Sequence, residues 1–299
     1  MANKLPAKGP SKGKGGRSDQ WIVAGIILAL IAIVLFLWGP LRTYRRGGEK
    51  TPVHAKKSEQ EQRKQTAADQ AARKESEKAA RIAIVIDDLG QDIKQAQDVI
   101  SLHARITLSV MPGLPQSRNI AMLARQNGRE VLLHLPMEPK DRNNRPIPRG
   151  TLRSDMTPGE FMAAIVEDVA SVPGAKGVNN HEGSALTENR EAMKFLMAEL
   201  RVRNLFFLDS RTNPKSIAYS TAKEFGLKAA NRDVFLDNEF NNRAYIRGQL
   251  EELVRLARKH GSAIAIGHPH PATIDELRSW VRTMDDQNLE IVPVSRMVN

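Results

Sequence analysis

Residues 82–90 read Ile-Ala-Ile-Val-Ile-Asp-Asp-Leu-Gly, five consecutive apolar residues followed by two adjacent carboxylates. Successive side chains of a β-strand point to opposite faces, so a strand that is apolar at every position must be covered on both. The stretch therefore predicts a central strand of a parallel sheet or barrel. Asp87 and Asp88 repel each other unless positive charge lies nearby, which indicates a cation or acid/base site. The alternative is that one of them caps the next helix, near Asp92.

From Arg81 onward, short apolar runs alternate with helix-length amphipathic segments, the pattern of repeated β-α units. The predicted strands are 82–87, 105–110, 130–135, 176–180, 205–209, 228–236, 262–267 and 289–294. The predicted helices are 92–101, 116–127, 158–171, 187–203, 216–225, 241–260 and 272–284. We therefore expect an α/β domain over 81–299, a distorted (β/α) barrel of seven or eight parallel strands, with a doubly wound open sheet as the alternative.

The positive charge of the chain is concentrated before this domain. Residues 1–80 hold 16 Lys and Arg against 7 Asp and Glu, whereas the remaining residues hold 29 against 27. Nucleic-acid binding requires a basic face on the folded domain, so we expect no nucleic-acid partner. The chain has no cysteine, which excludes disulfides and thiolate metal ligands.

Residues 21–40 predict a transmembrane helix, because this stretch is long, apolar and uncharged, with Trp21 and Trp38 at its ends. A cleaved signal peptide is the alternative, but no small-x-small cleavage pattern follows. The flanking segments are then a basic cytoplasmic tail, 1–20, and a charged linker, 41–80. Lys and Arg residues before the helix outnumber those just after it, so we predict a single-pass protein of the inner (cytoplasmic) membrane with its domain in the periplasm.

Polar residues cluster where the predicted strands end, and in this architecture ligands bind at those carboxyl ends. The residues are Asp87, Asp88, Ser109, His134, Asn179, Asn180, His181, Asp209, Arg211, Arg232, Asp233, His268 and His270. They include four of the seven histidines. One carboxylate and two imidazoles around a cation are typical of a catalytic zinc site. His268 suits either a further ligand or a general acid.

Five motifs carry a family resemblance that spans residues 81–296. They are Ile-Asp87-Asp88-Leu-Gly, Leu-Leu-His134-Leu-Pro-Met-Glu138, Gly-Val-Asn-Asn180-His181-Glu-Gly-Ser184, Phe-Phe-Leu-Asp209-Ser-Arg211-Thr and Ala-Ile-Gly-His268-Pro-His270. The chain resembles the divergent polysaccharide deacetylase (YibQ-like) family, a distant branch of the metal-dependent carbohydrate esterases.

The resemblance implies a divalent metal, zinc by ligand type, held by Asp88, His134 and His181. The wider superfamily instead places its second metal-binding histidine four residues after the first, and here that position is Glu138. The superfamily's Arg-x-Pro-x-Gly motif is also missing.

The resemblance further implies that Asp87 is the catalytic base and His268 the catalytic acid. The residues that we expect at the substrate are Asn180, Ser184, Asp209, Arg211, His270 and Glu138. Asn180 and Ser184 are candidates to stabilise an oxyanion, and Arg211 a candidate to supply the positive charge of the missing arginine motif.

The resulting functional expectation is a membrane-anchored, metal-dependent hydrolase that removes acetyl groups from an N-acetylated envelope glycan, with peptidoglycan as an accessible substrate. Two alternatives remain open. One is a catalytically degenerate barrel that serves as a binding or scaffold module of the cell envelope. The other is a metal-dependent phosphoesterase in which Arg211 and Arg232 receive the phosphate.

Overall fold

The computed structural model describes residues 79–141, 147–148, 150–284 and 288–299, together with 64–65. Strands and helices alternate through these ranges. The strands are β1 Ala80–Leu89, β2 Thr107–Val110, β3 Val131–Met137, β4 Gly177–Glu182, β5 Phe206–Asp209, β6 Ala229–Asn231, β7 Val234–Phe235, β8 Ser262–Gly267 and β9 Leu289–Ile291. The helices are α1 Ile93–Ile100, α2 Ser117–Gln126, α3 Pro158–Ser171, α4 Arg190–Val202, α5 Ala218–Glu224, α6 Arg243–His260 and α7 Pro271–Val281.

The described strands form one parallel sheet in the order β6-β5-β4-β3-β2-β1-β8-β7, and β9 pairs with the start of β1. Six strands that follow one another in the chain lie side by side, without the reversal of order that defines a doubly wound sheet. The two ends of the sheet, β6 and β7, are separated in the chain only by Arg232 and Asp233. The backbone N–H of Arg232 donates to Asp209 of β5, and that of Asp233 donates to Ile264 of β8. The sheet is therefore curled into part of a barrel. The predicted α/β fold with a parallel, barrel-like sheet is confirmed to that extent.

Both faces of β1 are buried, but against different partners. Ile82, Ile84 and Ile86 belong to the large apolar core that the helices share with the sheet. Ala83 and Val85 belong to a smaller core inside the curled sheet, with Leu132 and Ile264 among its members. This division explains why every position of the run must be apolar, since neither face of the strand reaches water.

The prediction of one continuous strand over 228–236 is wrong. The structure divides it into β6 and β7, because its first half pairs with β5 and its second half with β8. The predicted segments 1–20 and 21–40, and nearly all of the linker 41–80, lie outside the described residues. None of the helices in the described ranges combines the length and apolarity that crossing a bilayer requires.

Asp168 is a buried carboxylic acid in the helical layer and is not among the residues that end the strands. It lies on the buried face of α3 with Phe161 and Ile165. Its Oδ1 packs so closely on Gly150 that a Cβ there would lie 2.4 Å away, and its buried Oδ2 has no hydrogen-bond partner among the described residues. Burial, with a smaller contribution from Glu167, raises the pKa of Asp168 to about 7.

We expect Asp168→Asn to stabilise the protein at pH 8 but not at pH 4. The raised pKa means that the folded chain holds this proton more tightly than the unfolded chain, so wild-type stability falls as pH rises from about 4 to about 7. The isosteric amide removes this loss, which is on the order of 2–4 kcal/mol above pH 7. Unfolding midpoints measured between pH 4 and 8 check the prediction, with Glu167→Gln as a control that removes only the neighbouring charge. An equal pH dependence in wild type and Asp168→Asn would contradict it.

Candidate active site

Polar residues continue the inward-facing positions of the strands. Val85, Leu132 and Ile266 face the inner core, so the residues two positions further along the same strands face inward as well. A residue next to an outward-facing core residue also faces inward, because side chains alternate along a strand. These two rules give the inward-facing polar residues, which are Asp87, Ser109, His134, Asn179, His181, Ser210 and His268. The sheet therefore changes from an apolar interior to a polar one toward its carboxyl end.

Asp88 reaches this site by a local change in β1. Alternation places it on the opposite face from Asp87, but the register between β1 and β2 shifts between Ile86 and Leu89. Asp88 also has a φ of 59°, in the left-handed region that aspartate tolerates better than most residues. The irregularity brings two consecutive carboxylates to one site.

Asp88, His134 and His181 present three donor atoms to one another. Asp88 Oδ1 lies 3.1 Å from His134 Nε2 and 2.9 Å from His181 Nδ1, and the two ring nitrogens are 3.2 Å apart. Despite these short distances, the buried Asp88 Oδ1 has no hydrogen-bond partner of acceptable geometry. Three donor atoms this close together, one of them a buried carboxylate oxygen without a hydrogen bond, are the arrangement expected of metal ligands.

The donor set fits a divalent ion. Ligands at ~2.0–2.1 Å from a tetrahedral zinc are roughly 3.3 Å apart, close to the three observed separations. Burial raises the pKa of the Asp88 carboxyl, but the two imidazoles outweigh burial and hold that pKa well below its usual range. Two nitrogens and one carboxylate oxygen suit zinc and its neighbours among the transition metals.

Asn179 connects Asp87 to His134. Its Nδ2 donates to both oxygens of Asp87, at 2.9 and 3.1 Å, and lies 3.2 Å from the Ser210 hydroxyl. Its Oδ1 accepts from the Ser109 hydroxyl at 2.7 Å and lies 3.1 Å from His134 Nδ1. An Nδ1–H donated to this oxygen leaves the lone pair of His134 on Nε2, toward Asp88.

His268 is held by Asp237 on the opposite side of the site. Asp237 Oδ1 lies 3.0 Å from His268 Nδ1, and His268 Nε2 lies 3.7 Å from Asp88 Oδ2. Burial lowers the pKa of the His268 ring, but the hydrogen bond to Asp237 and the charges of Asp87, Asp237 and Asp88 outweigh it and raise that pKa to about 9. At neutral pH the ring is therefore protonated on both nitrogens and positively charged. Its Nε2 is directed toward Asp88, one of the three donors.

A second group, Asp237, His268 and His270, also has donor atoms close together. Its carboxylate already has hydrogen-bond partners. Asp237 Oδ2 accepts from the backbone N–H of His268 at 2.7 Å and from the Thr273 hydroxyl at 2.8 Å. Its other oxygen is paired with the His268 ring. This group therefore fits a hydrogen-bonded support better than a metal site.

The site opens into a cleft of about 360 Å³. The predicted site residues that line it are Asp87, His134, Asn180, His181, Ser184 and His268. Phe235 and Lys140, which were not predicted, also line it. A cleft of this volume accommodates a sugar-sized ligand. The Ser184 hydroxyl accepts the Lys140 backbone N–H at 2.9 Å, which leaves its own proton available to a ligand.

Four of the predicted substrate residues do not line this cleft. Asp209 accepts from the Arg211 N–H and the Ser216 hydroxyl, and so holds the loop after β5. Arg211 is exposed in that loop. The Glu138 carboxylate accepts from the backbone and hydroxyl of Ser154. The remaining residue, His270, precedes α7 with its ring against Phe240, 4.8 Å between centroids.

Asp237 was missed by the sequence analysis, and Asn179 was predicted only as one of the polar residues at the strand ends, without a role of its own. The sequence does hold a signal for each. Asn179 lies two positions before His181, and therefore on the same face of the strand. Asp237 ends Phe235-Leu-Asp237, a repeat of the Phe-Leu-Asp that ends β5 at Asp209.

Comparisons with known proteins place this chain in a family. A sequence model described as divergent polysaccharide deacetylase matches residues 84–298. The protein YibQ of Escherichia coli K12 is 40% identical over 221 residues, 74% of this chain and 68% of YibQ. A protein of Haemophilus influenzae Rd is 38% identical over 207 residues, 69% of this chain and 73% of its own.

A crystal structure of a protein from Agrobacterium tumefaciens C58 has the same fold. It is 27% identical, covers 74% of this chain and 90% of its own, and superimposes with a TM-score of 0.70. The residues matched by the family model, 84–298, include Asp87, His134, His181 and His268. This chain belongs to the divergent polysaccharide deacetylase family.

Proposed function

We propose that the protein is a membrane-anchored, metal-dependent hydrolase that removes acetyl groups from an N-acetylated glycan of the cell envelope. The observation that carries this proposal is the set of three mutually close donors, Asp88, His134 and His181, between the buried carboxylate Asp87 and the ring of His268. The family description supports a polysaccharide as the substrate.

Amide hydrolysis needs activation of the carbonyl, a base and an acid. A divalent ion held by Asp88, His134 and His181 supplies Lewis-acid activation of the acetyl carbonyl and of a water molecule. Asp87 takes the proton of the attacking water. Its two oxygens are oriented by Asn179 Nδ2, so the carboxylate stays fixed beside the ligands, with one oxygen 3.6 Å from His134 Nε2.

His268 donates a proton to the departing amine. Asp237 holds Nδ1 and so directs Nε2 toward the cleft, while the raised pKa keeps the ring protonated at neutral pH. Base and acid therefore flank the three donors from two different strands.

The oxyanion is stabilised by Ser184 rather than by Asn180. Asn180 Nδ2 donates to the carbonyl of Glu182 at 2.8 Å, and its Oδ1 accepts the Ser210 N–H at 2.8 Å. Its polar atoms thus hold the loops of β4 and β5 together. The Ser184 side chain lines the cleft. Its oxygen accepts the Lys140 backbone N–H at 2.9 Å, so the proton of the hydroxyl is left to donate to a ligand.

The anchor and the periplasmic location rest on the sequence. The apolar stretch 21–40 and the larger number of basic residues before it support a domain outside the cytoplasm. Peptidoglycan is the N-acetylated glycan that such a domain reaches.

A phosphoesterase is the less supported alternative. Arg232, one of its two candidate phosphate ligands, donates from Nε to the carbonyl of Ser210 at 2.6 Å and from Nη2 to that of Arg211 at 3.0 Å. Arg211 does not line the cleft. The scaffold alternative predicts no turnover at all, and activity measurements separate it from the proposal.

Acetate release is the direct test of the proposed reaction. The zinc-loaded full chain is incubated with N-acetylated chitooligosaccharides and with peptidoglycan fragments, and a phosphomonoester is assayed in parallel. We expect acetate from at least one glycan and no phosphate. Phosphate release alone would favour the phosphoesterase, and neither product, with metal bound, would favour the scaffold.

His268→Gln should reduce this acetate release by about 100- to 10,000-fold, the usual contribution of a positioned acid. Metal affinity should change little, because His268 is not among the three donors. His260→Gln, an exposed histidine at the end of α6, is the matched control and should keep wild-type activity. Full activity in His268→Gln would contradict the assignment of the acid.

A further inference from the structure

A second cavity lies at the opposite end of the sheet from the cleft. Its volume is about 240 Å³. The charged residues that line it are Arg105, Arg125, Arg129, Glu130 and Lys176. Arg105, Arg129 and Lys176 lie just before β2, β3 and β4, three neighbouring strands, so the cavity is built at their amino ends.

The charge of this cavity is unbalanced. Four cations face one carboxylate, Glu130, whose Oε1 already accepts from the Thr107 hydroxyl at 3.1 Å and the Ser295 N–H at 3.0 Å. Within the described ranges, no ion pair or hydrogen bond involves the side chains of Arg105, Arg125 or Lys176. Cations gathered at one cavity repel one another, and an anion between them relieves that repulsion.

Two of the arginines have constrained positions. Arg125 lies against Gly174, where a Cβ would come within 2.5 Å of Cδ, 2.6 Å of Nε and 2.7 Å of Cζ. Only a glycine permits this approach, and its φ of +81° also favours glycine. Arg129 Nη2 donates to the carbonyl of Ile100 at 2.9 Å, while its Nε is buried without an acceptor among the described residues. A buried donor without an acceptor is costly unless a ligand supplies one.

We propose that this cavity binds a phosphate group. Guanidinium groups match phosphate oxygens with paired hydrogen bonds, and a phosphate group offers more acceptor oxygens to the four cations than a carboxylate does. The phosphate of an anionic phospholipid and that of a soluble phosphate ester share this chemistry. The chain enters β1 at Ala80 at this same end of the sheet, and the sequence before it predicts a linker and a membrane helix. A predicted membrane anchor favours the lipid, and the site is independent of the proposed deacetylase reaction.

The test uses the full chain in a neutral detergent and calorimetric titration in two arms. One arm titrates inorganic phosphate, and the other titrates micelles that contain phosphatidylglycerol. The variant Arg125→Gln/Lys176→Gln removes two cavity cations. The control Arg118→Gln/Arg282→Gln removes the same charge from exposed positions outside the cavity. All four side chains are exposed or lie at the surface of helices and loops, so we expect both variants to fold.

We expect saturable binding to the wild type in at least one arm, weakened tenfold or more in the cavity variant and less than twofold in the control. The arm with the tighter binding identifies the source of the phosphate. Absence of saturable binding in both arms would overturn the proposal. An equal loss in cavity variant and control would overturn it as well, because binding would then follow net charge rather than this cavity.

Discussion

Asp88→Asn should lower the affinity of the protein for zinc by about 100-fold or more and abolish measurable acetate release. Asp88 supplies the only carboxylate oxygen of the three donors, and it lies within 3.1 Å of both imidazoles. Asparagine preserves the shape and tolerates the φ of 59° that Asp88 adopts. The loss should therefore reflect the missing negative charge and not a change of fold, and zinc titration by calorimetry measures it.

Glu138→Gln is the matched control for this experiment. It also removes a carboxylate near the end of a strand, β3, but that carboxylate accepts from Ser154 and does not line the cleft. We expect zinc affinity within about threefold of wild type, since surface and loop changes away from the ligands have small effects. The reverse pattern, with Glu138→Gln losing zinc and Asp88→Asn keeping it, would show that the chain uses the superfamily's ligand position instead.

Asn179→Ala should destabilise the protein by about 3 kcal/mol and also weaken zinc binding by about 10- to 100-fold. The amide is fully buried and makes contacts to Asp87, Ser109 and His134. Removing it leaves these buried groups without partners and frees the His134 ring to change its tautomer or orientation. Thermal unfolding and zinc titration measure the two effects separately.

Asn180→Ala distinguishes the orientation of His134 from a general loss of hydrogen bonds. Asn180 is as deeply buried as its neighbour, but its hydrogen bonds go to loop atoms, the Glu182 carbonyl and the Ser210 N–H. We expect this variant to lose stability while its zinc affinity stays within about threefold of wild type. Equal losses of zinc affinity in both variants would refute a specific role for Asn179.

The alternation of side chains explains how much of this site the sequence predicts. The all-apolar run before Asp87 fixes a strand buried on both faces, and the structure divides its residues between two cores. His134, His181 and His268 then fall on the inner face by counting in steps of two. The same counting explains why Asp209 holds a loop instead: its neighbour Leu208 faces the inner core, so Asp209 faces outward.

The rest of the site depends on local irregularities and on pairing between distant segments. Asp88 faces outward by simple alternation, and only the register shift and the left-handed backbone of β1 turn it toward His134 and His181. Asp237 comes within hydrogen-bonding distance of His268 only because the segment 228–236 breaks into two strands. The second of them pairs with β8, and His268 directly follows β8. Neither event has a periodic signature in the sequence, because each depends on how strands distant in the chain pair with one another.

Anomalous X-ray scattering at the zinc absorption edge, from crystals of the full chain grown with zinc, tests the central claim most directly. We predict a single strong peak within bonding distance of Asp88 Oδ1, His134 Nε2 and His181 Nδ1, at ~2.0–2.2 Å from each. Absence of a peak among these three atoms, or a peak at Asp237 and His270 instead, would contradict the account.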